Sequence, residues 1–140
     1  MKKFTQFFVL LALCWISTAA FVPGRLVKAF EALSFYDYFK AKDLFYKSLK
    51  GDSVAAAYGL SVIYSRNDNP FTQMDSADKY VNIAEDMWST VEEKARVDYA
   101  LLGVDSFSIA AQATKVDSLF YVMVLSQPSI DLWIEFIENH

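Results

Sequence analysis

Two alanines, Ala41 and Ala77, stand 36 residues apart, each inside a helical pattern and each with aromatic neighbours. In the run Tyr36 to Leu49, YDYFKAKDLFYKSL, residues Tyr38, Ala41, Phe45 and Leu49 are spaced for one face of a helix. In DSADKYVNIAE, residues Ala77, Tyr80 and Ala84 repeat a small and aromatic face. Small residues let two helices approach, and rings from the neighbouring turn fill the gaps. A pair built this way leaves an apolar face that only a further pair buries. The echo predicts an all-α chain of stacked antiparallel helix pairs.

Turn formers agree. With 4 Gly and 3 Pro in 140 residues, the chain has too few for a many-stranded sandwich or barrel. A hydrophobic fraction of 54% makes disorder untenable, and the length suffices for one domain with a sizeable core.

The first 20 residues read as an export signal. Lys2 and Lys3 form a positive start, Phe7 to Ile16 an apolar stretch, and Ser17 to Ala20 a small-residue cleavage region. The rival reading keeps residues 4–22 as a membrane anchor, although Thr5, Gln6, Ser17 and Thr18 weaken it. Losing residues 1–20 removes two lysines and no acid, which takes the formal charge from −4 to −6. An acidic domain lacks the electrostatic footprint for nucleic acid or anionic lipid. Cys14 lies in the signal, so the mature chain has no disulfide, thiol nucleophile or cysteine metal site.

Seven helices are expected. Leu26, Phe30 and Leu33, with Ala29 and Ala32, give the first; Tyr36 to Leu49 the second. Residues 54–65 form a third, rich in small residues that include Ala55, Ala56, Ala57 and Gly59. After the loop Arg66 to Gln73, Ala77, Tyr80, Val81, Ala84 and Trp88 face inward on a fourth. Thr90 caps a fifth, with Glu92 and Glu93 in its first turn, and Gly103 ends it. Asp105 or Ser106 caps a long sixth carrying Ile109, Ala113, Val116, Phe120 and Met123. A seventh spans about 129–139 and carries Ile130, Trp133, Ile134 and Ile137. Ending on an apolar helix, the chain reads as the front of a longer protein or as one that docks on something.

The pairs, placed at about 25–50, 54–88 and 91–125, resemble tetratricopeptide (TPR) and Sel1-like repeats. Asp37, Tyr38, Ala41, Phe45 and Leu49 match the second half of a tetratricopeptide unit, with Tyr36 where that pattern has Gly and Ser48 where it has Ala. Ala57, Leu60, Ser61, Tyr64, Ala77, Tyr80 and Ala84 follow the Sel1-like order, with Arg66 to Gln73 in place of its glycine-rich loop. The third register departs further, with Val116 where Tyr80 predicts a ring. The resemblance covers about residues 25–125 and implies an α-solenoid used for protein binding and scaffolding.

Groups for chemistry are sparse. His140 is the single histidine, and no phosphate-loop, zinc-protease or nucleophile-elbow pattern occurs. Asp68, in Arg66-Asn67-Asp68-Asn69, lacks the alternate acids and closing Glu of a calcium loop; a helix connection held by Asx turns is the simpler reading. Glu92 and Glu93 point apart on a helix, as do Glu85 and Asp86, so neither is a paired-carboxylate device.

Aromatic residues are the candidates for binding. Tyr38 and Phe45 are expected in the core. Tyr36, Phe39 and Tyr46 exceed what packing requires and are candidate protein-binding positions, together with Trp133, which core packing or a next repeat would also explain. The expectation is an exported, non-enzymatic helical-repeat scaffold of the periplasm or cell envelope of a Gram-negative bacterium. It would bind protein and use no cofactor, metal or nucleic acid. The alternative is a membrane-anchored structural subunit of a larger envelope assembly.

Overall fold

The computed structural model describes residues 23–126 together with Ile134, Ile137 and Glu138. The expected signal or anchor at 1–20, Trp133 and most of the expected helix at 129–139 lie outside the described residues. Six helices, and no strand, make up the described chain: α1 Gly24–Ser34, α2 Tyr38–Ser48, α3 Ser53–Ser65, α4 Met74–Trp88, α5 Glu93–Ala100 and α6 Ser106–Ser126. An all-α fold is what the turn-former shortage and the helical spacing require.

The helix ends show why the chain breaks where it does. At the end of α1, Asp37 N–H donates to the carbonyl of Ala32 (2.9 Å) and Tyr36 N–H to that of Leu33 (3.1 Å). At the end of α5, Val104 N–H donates to the carbonyl of Tyr99 (3.0 Å) and Gly103 N–H to that of Ala100 (3.0 Å). Both are the paired closing bonds of a Schellman stop, which needs one left-handed residue. Gly103 supplies it with φ 76°; at the other end Tyr36 does, with φ 61°. The Asp37 carboxylate then accepts from Lys40 N–H (3.2 Å) and starts α2. Asp105 and Ser108 cap α6 reciprocally: each backbone N–H donates to the other's side chain, at 2.8 and 2.7 Å.

α3 is the centre of the fold. Its residues Val54, Ala55, Ala56, Ala57, Gly59, Leu60, Ser61, Ile63, Tyr64 and Ser65 are all buried. A helix buried nearly all round needs neighbours on several sides, and α3 packs against α1, α2, α4 and α6. The small residues of the sequence pattern lie at these contacts: Ala41, Ala77 and Ala84 are fully buried. Gly59 admits the ring of Phe45 so closely that a Cβ there would overlap it. Phe30 meets that ring edge-on at 4.9 Å and stacks at 6.5 Å on Tyr58.

Expected faces shift on four helices; on α4, Ala77, Val81 and Ala84 are buried while Tyr80 and Trp88 are only partly covered. On α1 the alanines Ala29 and Ala32 are buried with Leu26, while Phe30 and Leu33 are only partly covered. On α2 the buried fourth position is Ser48, one residue before Leu49; its hydroxyl is satisfied by the Leu44 carbonyl (3.0 Å). On α6 the buried set is Ile109, Gln112, Val116, Phe120 and Val124. It replaces Ala113 with Gln112 and Met123 with Val124. Gln112 tolerates burial because its amide donates to Ser61 Oγ (3.1 Å) and Ser65 Oγ (3.0 Å) of α3.

These bonds fix how α6 lies. The hydroxyl of Tyr58 engages that of Ser108, and further along Ser65 meets Gln112, so α6 runs in the same direction as α3. It packs against α4 as well. α5 is a short connection rather than the main partner of α6.

Candidate protein-binding surface

One group of exposed rings gathers around α2 and the loop after α3, apart from Phe107 and Tyr121 on α6. Phe39 is 70% exposed, Tyr36 63% and Tyr46 39%, whereas Tyr38 and Phe45 are buried. Phe39 and Tyr46 are two helical turns apart on α2, with Lys42 between them, so they project from one side of that helix. Each is placed by a different partner from a different element.

At one end, Tyr36 and Tyr38 meet the loop. Their rings stand edge to face at 6.2 Å, and the Arg66 guanidinium lies over both, 5.0 Å from Tyr36 and 5.6 Å from Tyr38. Arg66 donates two hydrogen bonds to Asp68, Nε to Oδ1 at 3.0 Å and Nη2 to Oδ2 at 2.6 Å. The Tyr38 hydroxyl adds a third to Oδ1 at 2.8 Å. Arg66 and Tyr38 therefore hold the Asp68 carboxyl well below the usual carboxylate range. The bonds to Asp68 in turn raise the Arg66 guanidinium and keep it cationic. Burial and the bond to Asp68 raise the Tyr38 phenol.

Asp68 is thus an anchor for Arg66, and Asn69 makes the turn expected of this loop. Its side-chain oxygen accepts from Phe71 N–H (2.8 Å), and its amide donates to the carbonyls of Ile63 (2.9 Å) and Arg66 (3.0 Å). That turn presents Phe71, whose ring meets Phe39 edge-on at 4.8 Å. The Lys42 ammonium lies over the Phe71 ring at 3.8 Å.

At the other end, three helices each contribute a tyrosine. Tyr46 of α2 and Tyr64 of α3 share a hydroxyl hydrogen bond at 2.7 Å. Tyr80 of α4 donates to Tyr46 at 3.2 Å. The Tyr64 and Tyr80 rings stack at 5.8 Å and 6°. Burial and the bond to Tyr46 push the Tyr80 phenol up to about 12; Tyr46 is raised as well, by burial and by Tyr64. Lys79 sits over the Tyr80 ring at 5.7 Å.

The structure brings Phe39 and Tyr46 onto one strip with Lys42, Phe71 and Tyr80, and Tyr36 joins it through Tyr38 and Arg66. Tyr36 also borders a groove of ≈ 390 Å³ between α1 and α3, lined by Phe30, Leu33, Tyr58 and Val62 and faced by Leu102. Trp133 lies outside the described residues. The sequence reading missed the cations. Lys42 falls midway between Phe39 and Tyr46, a spacing visible in the sequence, but Phe71 and Lys79 join only through the loop and α4.

Among the described residues no cluster of three or more His, Cys, Asp or Glu is placed to hold a metal ion. No helix there is long and apolar enough to cross a membrane. Searches against protein-family models, curated proteins and solved structures find no match.

Proposed function

We propose that this chain is an exported, non-catalytic helical-repeat module that binds a protein partner through the aromatic strip on α2. The observation that carries the reading is the ordered exposure of Tyr36, Phe39 and Tyr46, each positioned by specific contacts yet open to solvent. Rings fixed before binding lose little side-chain entropy on association, and Tyr is among the residues that dominate interface energy.

The order of packing supports a solenoid of the tetratricopeptide or Sel1-like kind. α1 pairs with α2 and α3 with α4, while α1, α3 and α6 lie side by side. In that arrangement α6 takes the place of a third first-helix. The Tyr36 position supports the resemblance too: a left-handed residue is required where the repeat pattern has Gly. Export to the periplasm or cell envelope rests on the pattern of residues 1–20.

A photo-crosslinking amino acid at position 39, introduced into the full chain in its native cells, tests the binding reading. Capture of a defined protein that is absent when the label sits at exposed Lys50 is the expected result. An identical crosslink pattern at both positions refutes it. N-terminal sequencing of the cellular protein tests export; a start at or near Phe21 is expected.

A further inference from the structure

We infer that the occupant of the strip is an acidic peptide segment whose carboxylates meet Lys42 and Lys79 while its apolar side chains lie on Phe39 and Tyr46. This rests on the binding reading above and adds the chemistry of the partner. The chain as a whole is acidic, with a formal charge of −4. The strip reverses that sign. Its cations are Lys42, Arg66 and Lys79, each held over a ring. Its carboxylate is Asp68, consumed by the bidentate pair with Arg66. The nearby Asp43 is taken by Lys47 at 2.6 Å. No described carboxylate lies within ion-pair distance of Lys42 or Lys79.

An ammonium over a ring face is oriented by the ring's quadrupole and still has donors to give. Lys42 is partly buried against Phe71, so its charge is held in place rather than averaged over a mobile side chain. Phe39 and Tyr46 are seven residues apart on a helix, about 10 Å, which an extended segment of about three residues spans. Alternate side chains of an extended segment share one face, so apolar residues with an acidic residue between them on that same face fit the strip: the apolar groups reach Phe39 and Tyr46, and the acid reaches Lys42 between them. A basic segment would face fixed like charges, which disfavours it.

The test is a fluorescence-anisotropy titration of the full chain with three short labelled peptides of equal length. One repeats Leu-Ser-Glu-Ser, one Leu-Ser-Gln-Ser and one Leu-Ser-Lys-Ser, so that Leu and the varied residue share a face. The acidic peptide is expected to bind about tenfold more tightly than the neutral one at low salt, with the advantage shrinking as salt rises. The double variant Lys42→Gln, Lys79→Gln should lose that advantage while keeping its helical circular dichroism. Equal affinity for the acidic and neutral peptides overturns the inference, as does an acidic preference that survives in the double variant. No binding of any peptide also overturns it. If the position-39 crosslink still captures a protein in any of these cases, the binding reading stands and only the acidic partner falls.

Discussion

The ring of Phe45 rests on the backbone of Gly59, at a distance that leaves no room for a side chain on the glycine. This contact sets the spacing of α2 and α3, the helix that carries the exposed rings and the helix at the centre of the core. Gly59→Ala would ordinarily strengthen a helix by about 1 kcal/mol. Here the added methyl must displace a buried ring that is itself wedged against Phe30, at a cost of about 1–3 kcal/mol. Urea denaturation should show a net loss of stability, whereas Gly51→Ala, where a Cβ meets nothing within 4 Å, should leave the midpoint nearly unchanged.

Tyr36 occupies the left-handed region that α1 needs for its stop. A β-branched residue tolerates that conformation worst and glycine best, a difference of about 1–2 kcal/mol. Tyr36→Val should therefore be less stable than Tyr36→Gly by that amount in thermal melts. Both should lose the position-39 crosslink partner if the ring is part of the surface. A local strain kept in place of a free glycine is expected where function needs the side chain.

Acid stability follows from Asp68. Its folded carboxyl titrates below the unfolded value of about 3.9, chiefly because of Arg66 and then Tyr38. The unfolded chain takes up the proton first, so the contribution is present above the unfolded value and is lost as pH falls below it. Asp68→Asn should be less stable than the parent at neutral pH and converge toward it in acid. Parallel stability curves from neutral pH to strong acid would contradict the Arg66–Asp68–Tyr38 linkage.

Alkaline stability follows from Tyr80, whose phenol lies near 12 in the folded chain against about 10 when unfolded. Its contribution is intact below about pH 10 and is lost as pH rises through the folded value, because the unfolded chain ionises first. Tyr80→Phe should flatten that loss, read as the urea midpoint against pH. Tyrosinate absorbance should show Tyr80 ionising late in the parent.

Much of this was legible in the residues alone. Helix periodicity, the shortage of turn formers and the small residues at Ala41, Gly59, Ala77 and Ala84 determine an all-α chain of closely packed helices, because close approach depends on side-chain volume at fixed positions. The surplus of Tyr36, Phe39 and Tyr46 was legible too, since a helix face has room for only so many buried rings. The tertiary structure decided what those rings meet. Which way α6 runs rests on Ser108 meeting Tyr58 and, further along, Gln112 reaching Ser61 and Ser65, the latter a buried amide that a hydrophobic pattern passes over. That Tyr36 stands left-handed depends on how α1 ends. The sign of the strip depends on Lys42, Arg66 and Lys79, which three separate elements bring to the rings. Periodicity reports only which side of one helix is apolar; the charge and shape of a surface built from several helices are set when they pack.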